Sequence, residues 1–309
     1  MKVFYHIKDI PLKNIILILG MFDGVHLGHQ KVIQQAVKYA KKHKLKSVLL
    51  TFDPHPQLIL QKKENLKLLT TLEERLSFLE TLNLDAVLVL RFTPQIASLS
   101  SKNFIEEILL KKLSIKRIFA GYDFAFGKER SGHISILKQE SKKLGFGVSI
   151  VSAKSYQGQH IKSSRIRELL SAGDFNLAVK LLGHAYRFIA QVEKGHGIGK
   201  KLGFPTANLK LSKNKLIPSP GVYAAAVHSS HFTSHFRAAV NIGERPTFKI
   251  GGCNVEAHLI NFSGNLIGQI IQVDLIKKIR PEIHFDHIHK LQAQIAKDIR
   301  LVEKTPIFL

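Results

Sequence analysis

The chain has 309 residues, with 46 Lys and Arg against 23 Asp and Glu, and its formal net charge is +23 at pH 7. Hydrophobic residues make up 45% and charged residues 22%, a globular composition that excludes a disordered basic chain. The single cysteine, Cys253, excludes an internal disulfide framework and a zinc site built from cysteines. The length predicts two domains of roughly 150 residues, and the charge favours an anionic partner, either nucleic acid or a small polyphosphate.

The apolar run from Asn14 to Phe22 resembles a targeting segment but is much shorter than the roughly 20 residues of a membrane span. It also lacks a cleavage site of small residues. We therefore predict a buried strand here, no membrane association and a cytoplasmic location.

Short apolar runs alternate with amphipathic patterns through the first half of the chain. The runs predict buried strands at Ile15–Gly20, Ser47–Phe52, Ala86–Leu90, Arg117–Gly121 and Val148–Ser152. The amphipathic patterns predict helices at Leu27–Lys44, Leu72–Leu82, Phe104–Leu113 and Ile134–Leu144. This alternation predicts an α/β domain with a doubly wound, Rossmann-like parallel sheet, whose ligands bind beyond the carboxyl ends of the strands.

The pattern changes near His184, so we predict domains at residues 1–183 and 184–309. Residues 163–183 read as helical with a break at Gly173 and Asp174. Six closely spaced strands then follow, at Tyr186–Val192, Thr206–Leu211, Val222–His228, Phe236–Ile242, Val255–Phe262 and Ile267–Ile276. They predict a six-stranded antiparallel β-barrel, with a terminal helix at His289–Val302.

The first strand runs directly into the glycine-rich motif Gly20-Met-Phe22-Asp23-Gly24-Val-His26-Leu-Gly28-His29, which opens a helix. The glycines allow a tight turn and close approach to a ligand, and the helix N-terminus favours a phosphate. His26 and His29, three residues apart, can project toward the same phosphate oxygens. This combination predicts nucleotidyl transfer with attack on an α-phosphate.

Other interpretations of this motif remain open. A strand–turn–helix corner with two surface histidines would look similar, and class I aminoacyl-tRNA synthetases carry a related motif. Zinc binding is disfavoured, because two histidines at this spacing lack a paired Glu or Cys.

Three further segments of the first half fall where ligand is expected. Thr51-Phe-Asp-Pro-His-Pro56 ends the second strand and is either a ligand loop or a rigid turn. Asp123, Phe124 and Phe126 follow a later strand, where the aromatic rings can stack on a planar ligand or belong to the core. Ser164 and Arg165 open a helix and can cap it or clamp pyrophosphate.

In the second half, a flexible cationic loop precedes a possible metal site. The loop contains Gly195, Gly197, Lys200 and Gly203 and matches neither a Walker A motif nor a dinucleotide fingerprint. Pro205 follows it, and then Thr206 and Asn208 lie two apart on one side of a strand. Their neutral oxygens suit a Mg²⁺ ion that carries ATP phosphates, although Thr-Ala-Asn is also an ordinary strand start.

Glu256 shares one strand face with His258, and we expect that face to point into the barrel, where an unpaired carboxylate is costly. Glu256 is then a candidate general base for a substrate hydroxyl, against the alternative of an exposed strand residue. Asn241–Phe248 reads as a turn with an anion-binding Arg245 or as a simple hairpin.

Taken in order, these motifs resemble the bacterial bifunctional riboflavin kinase/FMN adenylyltransferase (FAD synthetase) family from about Gly20 to Asp298. The most specific blocks are GMFDGVHLGH, TFDPHP, GFPTANL, NIGERPTF and IRPEIHFDHIHKLQAQIAKD. The resemblance implies that the barrel phosphorylates riboflavin with ATP to give FMN. The first domain then transfers AMP from ATP to FMN and gives FAD and pyrophosphate.

The resemblance also implies residue roles. His26 and His29 would stabilise the α-phosphate, and Asp123 with Ser164 and Arg165 would hold nucleotide or flavin phosphate. Thr206 and Asn208 would ligate Mg²⁺. Glu256 would deprotonate or orient the ribityl hydroxyl, and the loop from Gly195 to Gly203 would cover the phosphates.

The sequence departs from the family pattern at several positions. Met21 stands where the family has Asn, and Ala125 stands where it has a polar residue. Lys162 and Ser164 replace Ser and Thr. Asn261, Asn265 and Ile267 replace residues of the family's acidic block DFDGDLYG. The departures at Ala125 and Ile267 motivate an alternative in which only one activity is retained. A basic RNA-binding protein is a further alternative, although no RNA-binding module is recognisable and the lysines are scattered.

Overall fold

Strand Ile15–Leu19 is buried along its whole length and forms the centre of a parallel sheet. The computed structural model describes residues 1–11, 13–60, 66–110, 113–195, 197–230, 232, 234–244 and 253–307. The chain divides into two units. The first comprises Met1–Lys67 and Arg75–Lys162, and the second comprises Leu68–Glu74 and Ser163–Leu309.

The parallel sheet of the first unit has six strands within the described ranges. They are β1 (Lys2–Phe4), β2 (Ile15–Leu19), β3 (Lys46–Asp53), β4 (Ala86–Arg91), β5 (Ile115–Gly121) and β6 (Gly147–Val151), in the order β1-β4-β3-β2-β5-β6. A small hairpin follows with β7 (Ser155–Tyr156) and β8 (Gln159–His160). The chain moves to one side of β2 for β3 and β4 and to the other side for β5. The order therefore reverses between β2 and β5, where doubly wound sheets bind their ligands.

The helices between these strands, in chain order, are α1 (Leu27–Lys42), α2 (Pro56–Ile59), α3 (Leu72–Glu80), α4 (Pro94–Ser98), α5 (Ser101–Asn103) and α6 (Ile134–Leu144). Short 3-10 turns cover Ile7–Asp9 and Lys128–Arg130. Phe104–Leu110 forms a π-helix where the sequence predicts an α-helix. The Rossmann-like sheet is confirmed, with one strand, β1, beyond the five predicted strands.

The second unit contains a closed antiparallel barrel. It begins with α7 (Ser163–Ala172) and α8 (Phe175–Leu182), and the break predicted between them is present, with Gly173 at a φ of +97°. The barrel strands are β9 (Tyr186–Glu193), β10 (Ala207–Lys210), β11 (Gly221–His228), β12 (Phe236–Glu244), β13 (Cys253–Leu259) and β14 (Ile270–Arg280). Their order is β10-β13-β12-β11-β14-β9. The predicted barrel is confirmed.

Two more helices belong to this unit. The short α9 (Ile198–Lys201) lies between β9 and β10, and α10 (Ile288–Lys304) follows the barrel. Val302 of α10 packs with Ala224 and Ile260, so the terminal helix covers part of the barrel surface. No helix in the described part of the chain is long and apolar enough to cross a membrane.

A buried ion pair joins Leu68–Glu74 to the rest of the second unit. The Nζ atom of Lys215 lies 2.7 Å from Oε2 of Glu74, and both side chains are almost completely buried. Lys215 also donates to the carbonyl oxygens of Leu69 and Arg187, each at 2.7 Å. Glu74 in turn accepts hydrogen bonds from the amide nitrogens of Thr71 and Ile189. These bonds offset the cost of burying the two charges.

Candidate active sites

The loop that follows β2 is tightly folded. Gly24, Phe22 and Val25 all have positive φ values, of +84°, +53° and +37°. For a β-branched residue such as Val25 this conformation is an outlier, and such strain concentrates at ligand sites. A Cβ atom built on Gly20 would lie 2.9 Å from the Phe22 ring, so the ring and the strand end require glycine there. Asp23 is buried beside them, with 3% of its surface exposed.

His26 forms the N-cap of α1. Its Nδ1 atom accepts hydrogen bonds from the amide nitrogens of Gly28 and His29, at 3.2 and 3.3 Å. An Nδ1 atom that accepts leaves the proton of the neutral ring on Nε2. The local sequence thus satisfies two helix N–H groups and fixes the tautomer of the histidine.

His29 stacks on His26, with ring centroids 3.6 Å apart and an angle of 18° between the ring planes. Its Nδ1 atom is buried and has no hydrogen-bond partner among the described residues. Burial lowers the pKa of His29 well below the usual value of 6.5, and the nearby His26 and Arg75 lower it further. His29 is therefore neutral at pH 7 and can donate a hydrogen bond without carrying charge.

Arg75 of α3 is a residue of this region that the sequence analysis missed. Its side chain is 5% exposed, and its guanidinium donates to the carbonyl oxygens of Met21, at 2.8 Å, and Phe52, at 3.4 Å. Burial lowers the pKa of Arg75, while Asp23 and Asp53 oppose that effect. The helical spacing offers a signal, since Arg75 lies three residues after Leu72 and four before Leu79, on the apolar stripe of α3. We call His26, His29, Arg75 and the loops after β2 and β3 the histidine site.

The carboxyl end of β3 and the loop after it contribute three side chains to this site. Nη2 of Arg75 lies 3.8 Å from Oδ1 of Asp53, the last residue of β3, and the Asp53–Pro54 peptide bond is cis. His55 caps α2, with its Nδ1 atom accepting from the amide nitrogen of Gln57 at 3.2 Å. The Thr51 hydroxyl donates to the Met21 carbonyl oxygen at 3.1 Å, which ties the end of β3 to the loop after β2.

The loop after β5 lies beside a cavity of about 390 Å³. Its lining residues are Tyr122, Asp123, Phe124, Ala125, Arg130, His133, Ile134 and Ser135. The rings of Phe124 and Phe126 stack on each other with their centroids 5.5 Å apart, but the two side chains have different surroundings. Phe126 belongs to the buried core and also contacts Phe104, whereas Phe124 reaches the cavity. The structure thus puts Asp123 and Phe124 at a space that can accept a ligand, and Phe126 behind them.

Ser164 and Arg165 lie in the first turn of α7, within the second unit. Ser164 is exposed and Arg165 is half-buried. Their predicted contact with phosphate stays a prediction.

A second group of polar side chains lies on the barrel, on strands β10 and β13, which pair with Asn208 opposite Glu256. The Thr206 hydroxyl donates to Oε2 of Glu256 at 3.1 Å, and the Asn254 amide donates to Oε1 at 2.5 Å. Thr206, Asn208, Asn254 and Glu256 form what we call the barrel site.

The barrel site lies on the outer surface of the barrel, which corrects one expectation. Along β13 the buried residues are Val255, Ala257 and Leu259, and they fill the interior. Glu256 and His258 alternate with them and point outward, half-buried. The prediction that this face points inward is wrong, because strand alternation assigns the apolar residues to the core.

The glycine loop before β10 packs against the barrel site. A Cβ atom built on Gly195 would lie 2.0 Å from Nδ2 of Asn208. A Cβ atom on Gly199 would lie 3.0 Å from Oγ1 of Thr206. Gly197 and Gly203 have positive φ values of +70° and +89°, and Lys200 is exposed between them. Pro205 accepts a hydrogen bond through its carbonyl oxygen from Nδ1 of His258, when that atom is protonated, at 2.8 Å.

The barrel site fits a hard divalent cation. The Thr206 hydroxyl donates a hydrogen bond to Glu256, which leaves its oxygen lone pairs available to a metal. With the Asn208 amide oxygen and the carboxylate nearby, the donors are the oxygen ligands that Mg²⁺ prefers. The described residues contain no cluster of three or more His, Cys, Asp or Glu side chains suited to a metal. Arg245 and the rest of 245–252 lie outside the described residues.

Comparisons with known proteins match two successive parts of the chain to two different families. The sequence profile of the FAD synthetase family matches residues 9–165, and that of the riboflavin kinase family matches residues 182–305. The chain is 41% identical to the bifunctional riboflavin kinase/FMN adenylyltransferase of Buchnera aphidicola subsp. Schizaphis graminum, over 93% of this chain and 92% of the relative. It is 36% identical to the Haemophilus influenzae protein of the same description, over 95% of both chains.

One solved structure also matches nearly the whole chain. It is the crystal structure of a Streptococcus pneumoniae protein described as a macrolide-efflux protein, with a TM-score of 0.87 and 28% identity. The match covers 98% of this chain and 99% of that protein. Both family profiles and the full-length relatives lead to the assignment that the motifs suggested. The chain belongs to the bifunctional riboflavin kinase/FMN adenylyltransferase family.

Proposed function

We infer that the chain makes FAD from riboflavin in two ATP-dependent reactions, at two separate sites. Riboflavin and ATP give FMN and ADP in the barrel, and FMN and ATP give FAD and pyrophosphate in the Rossmann-like unit. The observation that carries this inference is the match of both family profiles within one chain whose relatives are bifunctional over their full length. We propose that residues 1–183 carry adenylyl transfer and that residues 184–309 carry riboflavin phosphorylation.

For adenylyl transfer, we propose that the histidine site binds the α-phosphate of ATP. Negative charge builds on that phosphate as the FMN phosphate attacks it and pyrophosphate leaves. The N-terminus of α1 supplies a positive dipole, and His26, through its Nε2–H group, and neutral His29 add ring N–H donors. Donors already fixed in place stabilise such charge most strongly, because they do not reorganise during the reaction. Gly20, Phe22, Asp23 and Gly24 shape the loop that the phosphates approach.

We propose that the cavity beside Asp123 and Phe124 accepts the planar flavin or nucleotide ring. Phe124 offers an aromatic face, and Asp123 offers a hydrogen-bond acceptor. Ser164 and Arg165 are proposed to hold a phosphate group from the start of α7. Phe126, as a core residue, would support Phe124 from behind.

For phosphorylation, we propose that Glu256 accepts the proton of the ribityl hydroxyl as this oxygen attacks the γ-phosphate of ATP. Thr206 and Asn208 would hold Mg²⁺, which neutralises charge on the ATP phosphates when it is bound. Gly195, Gly197, Lys200 and Gly203 would cover the phosphates, with Pro205 fixing the start of β10. No covalent nucleophile is needed, since positioning and charge stabilisation suffice for phosphoryl transfer.

The test is to incubate the purified full-length chain with riboflavin, ATP and Mg²⁺ and to separate the flavins by chromatography. We expect FMN to appear first and FAD to follow. A second reaction that starts from FMN separates the two activities. If neither flavin product forms with folded protein, the proposed function is wrong, and if only one forms, the chain retains a single activity. We further propose a cytoplasmic location, where both substrates are available.

A further inference from the structure

Arg75 is the most deeply buried cation in the histidine site, and none of the roles proposed above uses it. We propose that Arg75 is a positioning residue for adenylyl transfer, which fixes the loop after β2 against the carboxyl end of β3 and adds buried positive charge behind His29. This proposal rests on the proposed function, because it assigns Arg75 to the adenylyl-transfer site.

The first argument is the hydrogen bonding of the guanidinium. Nη1 donates to the Met21 carbonyl oxygen at 2.8 Å, and Nη2 lies 3.4 Å from the Phe52 carbonyl oxygen. Met21 belongs to the loop that carries His26, and Phe52 and Asp53 are the last two residues of β3. One rigid, planar side chain therefore sets the spacing between the loop after β2 and the carboxyl end of the adjacent strand β3.

The second argument is the surroundings of its charge. Arg75 is 4% exposed, and Nε is buried without a hydrogen-bond partner among the described residues. An arginine used only to hold the fold would be expected to use this donor, since a buried unsatisfied donor costs stability. The carboxylates near it, Asp23 and Asp53, offset the charge, with Asp53 at 3.8 Å and 44% exposed.

The third argument is the effect on His29. Burial lowers the pKa of His29 most, and His26, which caps the same helix, and Arg75, on α3, lower it further. A cation here favours the neutral imidazole and attracts the anionic phosphate that the imidazole contacts. Arg75 acts through His29 and the loops, and it need not touch the substrate.

The experiment compares Arg75→Met and Arg75→Lys in the full-length chain, with Lys142→Met as the control. Lys142 is an exposed residue of α6, outside the histidine site. Its replacement should therefore leave the site unchanged. We expect Arg75→Met to lower kcat for FAD formation on the order of 100-fold, the typical effect of a misplacement of about 1 Å. The KM for ATP should change much less. Arg75→Lys keeps the charge but loses the planar fork, so it should recover part of kcat.

A second measurement follows the titration of His29 by NMR. Removing the positive charge should raise the pKa of His29 in Arg75→Met, and Arg75→Lys should keep it low. If the charge of Arg75 did not act on His29, the two variants would have the same His29 pKa. If Arg75→Lys is no more active than Arg75→Met and the pKa of His29 is the same in both, Arg75 is not a positioning residue.

The controls separate this proposal from the proposed function. If the unmodified chain makes no FAD from FMN and ATP, the adenylyl-transfer assignment itself is wrong. If it makes FAD and Arg75→Met keeps kcat within about twofold, only the role of Arg75 is overturned. Riboflavin phosphorylation should be unchanged in all three variants, which reports that the second unit is folded.

Discussion

The hydroxyl of Thr206, immediately before β10, donates a hydrogen bond at 3.1 Å to the carboxylate of Glu256 on the paired strand β13. The same carboxylate accepts a second bond, from Asn254. Glu256 is therefore held in one orientation on the outside of the barrel. The hydrogen bond couples Thr206, the proposed metal ligand, to Glu256, the proposed base. Metal binding by Thr206 and proton acceptance by Glu256 both depend on the position of the Thr206 hydroxyl proton.

Glu256→Gln should abolish most FMN formation. The amide cannot accept the ribityl proton, and loss of a general base typically lowers kcat by about 10²–10⁴-fold. Starting from FMN, the variant should form FAD at the normal rate, because the histidine site is unchanged. Chromatographic assays with riboflavin or FMN as the substrate measure both rates. Glu303→Gln, an exposed change on α10, is the control, and normal FMN formation by Glu256→Gln would contradict the role of Glu256.

His29→Ala should have the opposite effect. It removes a ring donor from the histidine site, and loss of one fixed donor to developing charge costs on the order of 10²–10³-fold in kcat. FMN should accumulate from riboflavin while FAD formation stops. His6→Ala, an exposed change in the same unit, should leave both rates unaltered. Equal loss of both activities in His29→Ala would argue against separate sites.

The pH dependence of FAD formation should reflect the low pKa of His29. Because burial and the neighbouring His26 and Arg75 disfavour its charged form, His29 stays neutral well below pH 6.5. The fall in kcat/KM that protonation of His29 causes on the acid side of the pH profile should therefore occur below pH 6.5. NMR titration of the imidazole, compared with the pH–rate profile, tests this directly. A His29 pKa at or above 6.5 would contradict it.

Gly195→Ala should impair the barrel site selectively. The added Cβ would lie 2.0 Å from the Asn208 amide and would displace that side chain or the loop. We expect weaker Mg²⁺ dependence of FMN formation, seen as a higher Mg²⁺ concentration at half-maximal rate, and no change in FAD formation from FMN. Lys194→Ala alters the exposed neighbour and provides the comparison. An unchanged Mg²⁺ dependence would show that the glycine loop does not affect the metal ligands.

Lys215→Met should destabilise the second unit. It would leave the Glu74 carboxylate buried without its cation, and breaking a buried ion pair typically costs about 3–5 kcal/mol of unfolding free energy. Urea unfolding followed by circular dichroism measures the loss. The exposed Lys297→Met is the matched control, with an expected change within about 0.5 kcal/mol. A similar result for both variants would mean that the ion pair contributes little to stability.

The sequence predicts most elements of both units because their patterns are long and regular. The run at β2 is apolar throughout, as a central parallel strand requires, and α6 occupies the predicted residues Ile134–Leu144. The sequence did not predict strand β1, because three residues are too few to show an alternation of apolar and polar positions. The π-helix at Phe104–Leu110 was also missed, since the apolar spacing does not distinguish it from an α-helix.

The sites were less predictable than the fold because side-chain contacts link residues distant in sequence. Arg75 reaches Met21 across 54 positions, and no local motif marks that contact. The outward direction of Glu256 was available from the sequence, since Val255 and Ala257 flank it and must fill the core. The positions of His26 and His29 after β2 follow from the strand–turn–helix pattern, which is local.

The central claim, two separate sites that act in sequence, is tested most directly by mixing two variants that each lack one of the two activities. His29→Ala retains the barrel site and should release FMN, while Glu256→Gln retains the histidine site and should convert that FMN to FAD. Each variant alone should make no FAD from riboflavin. The mixture should make FAD from riboflavin, ATP and Mg²⁺ after a lag in which FMN accumulates. Failure of the mixture to make FAD, with each variant folded, would contradict the two-site assignment.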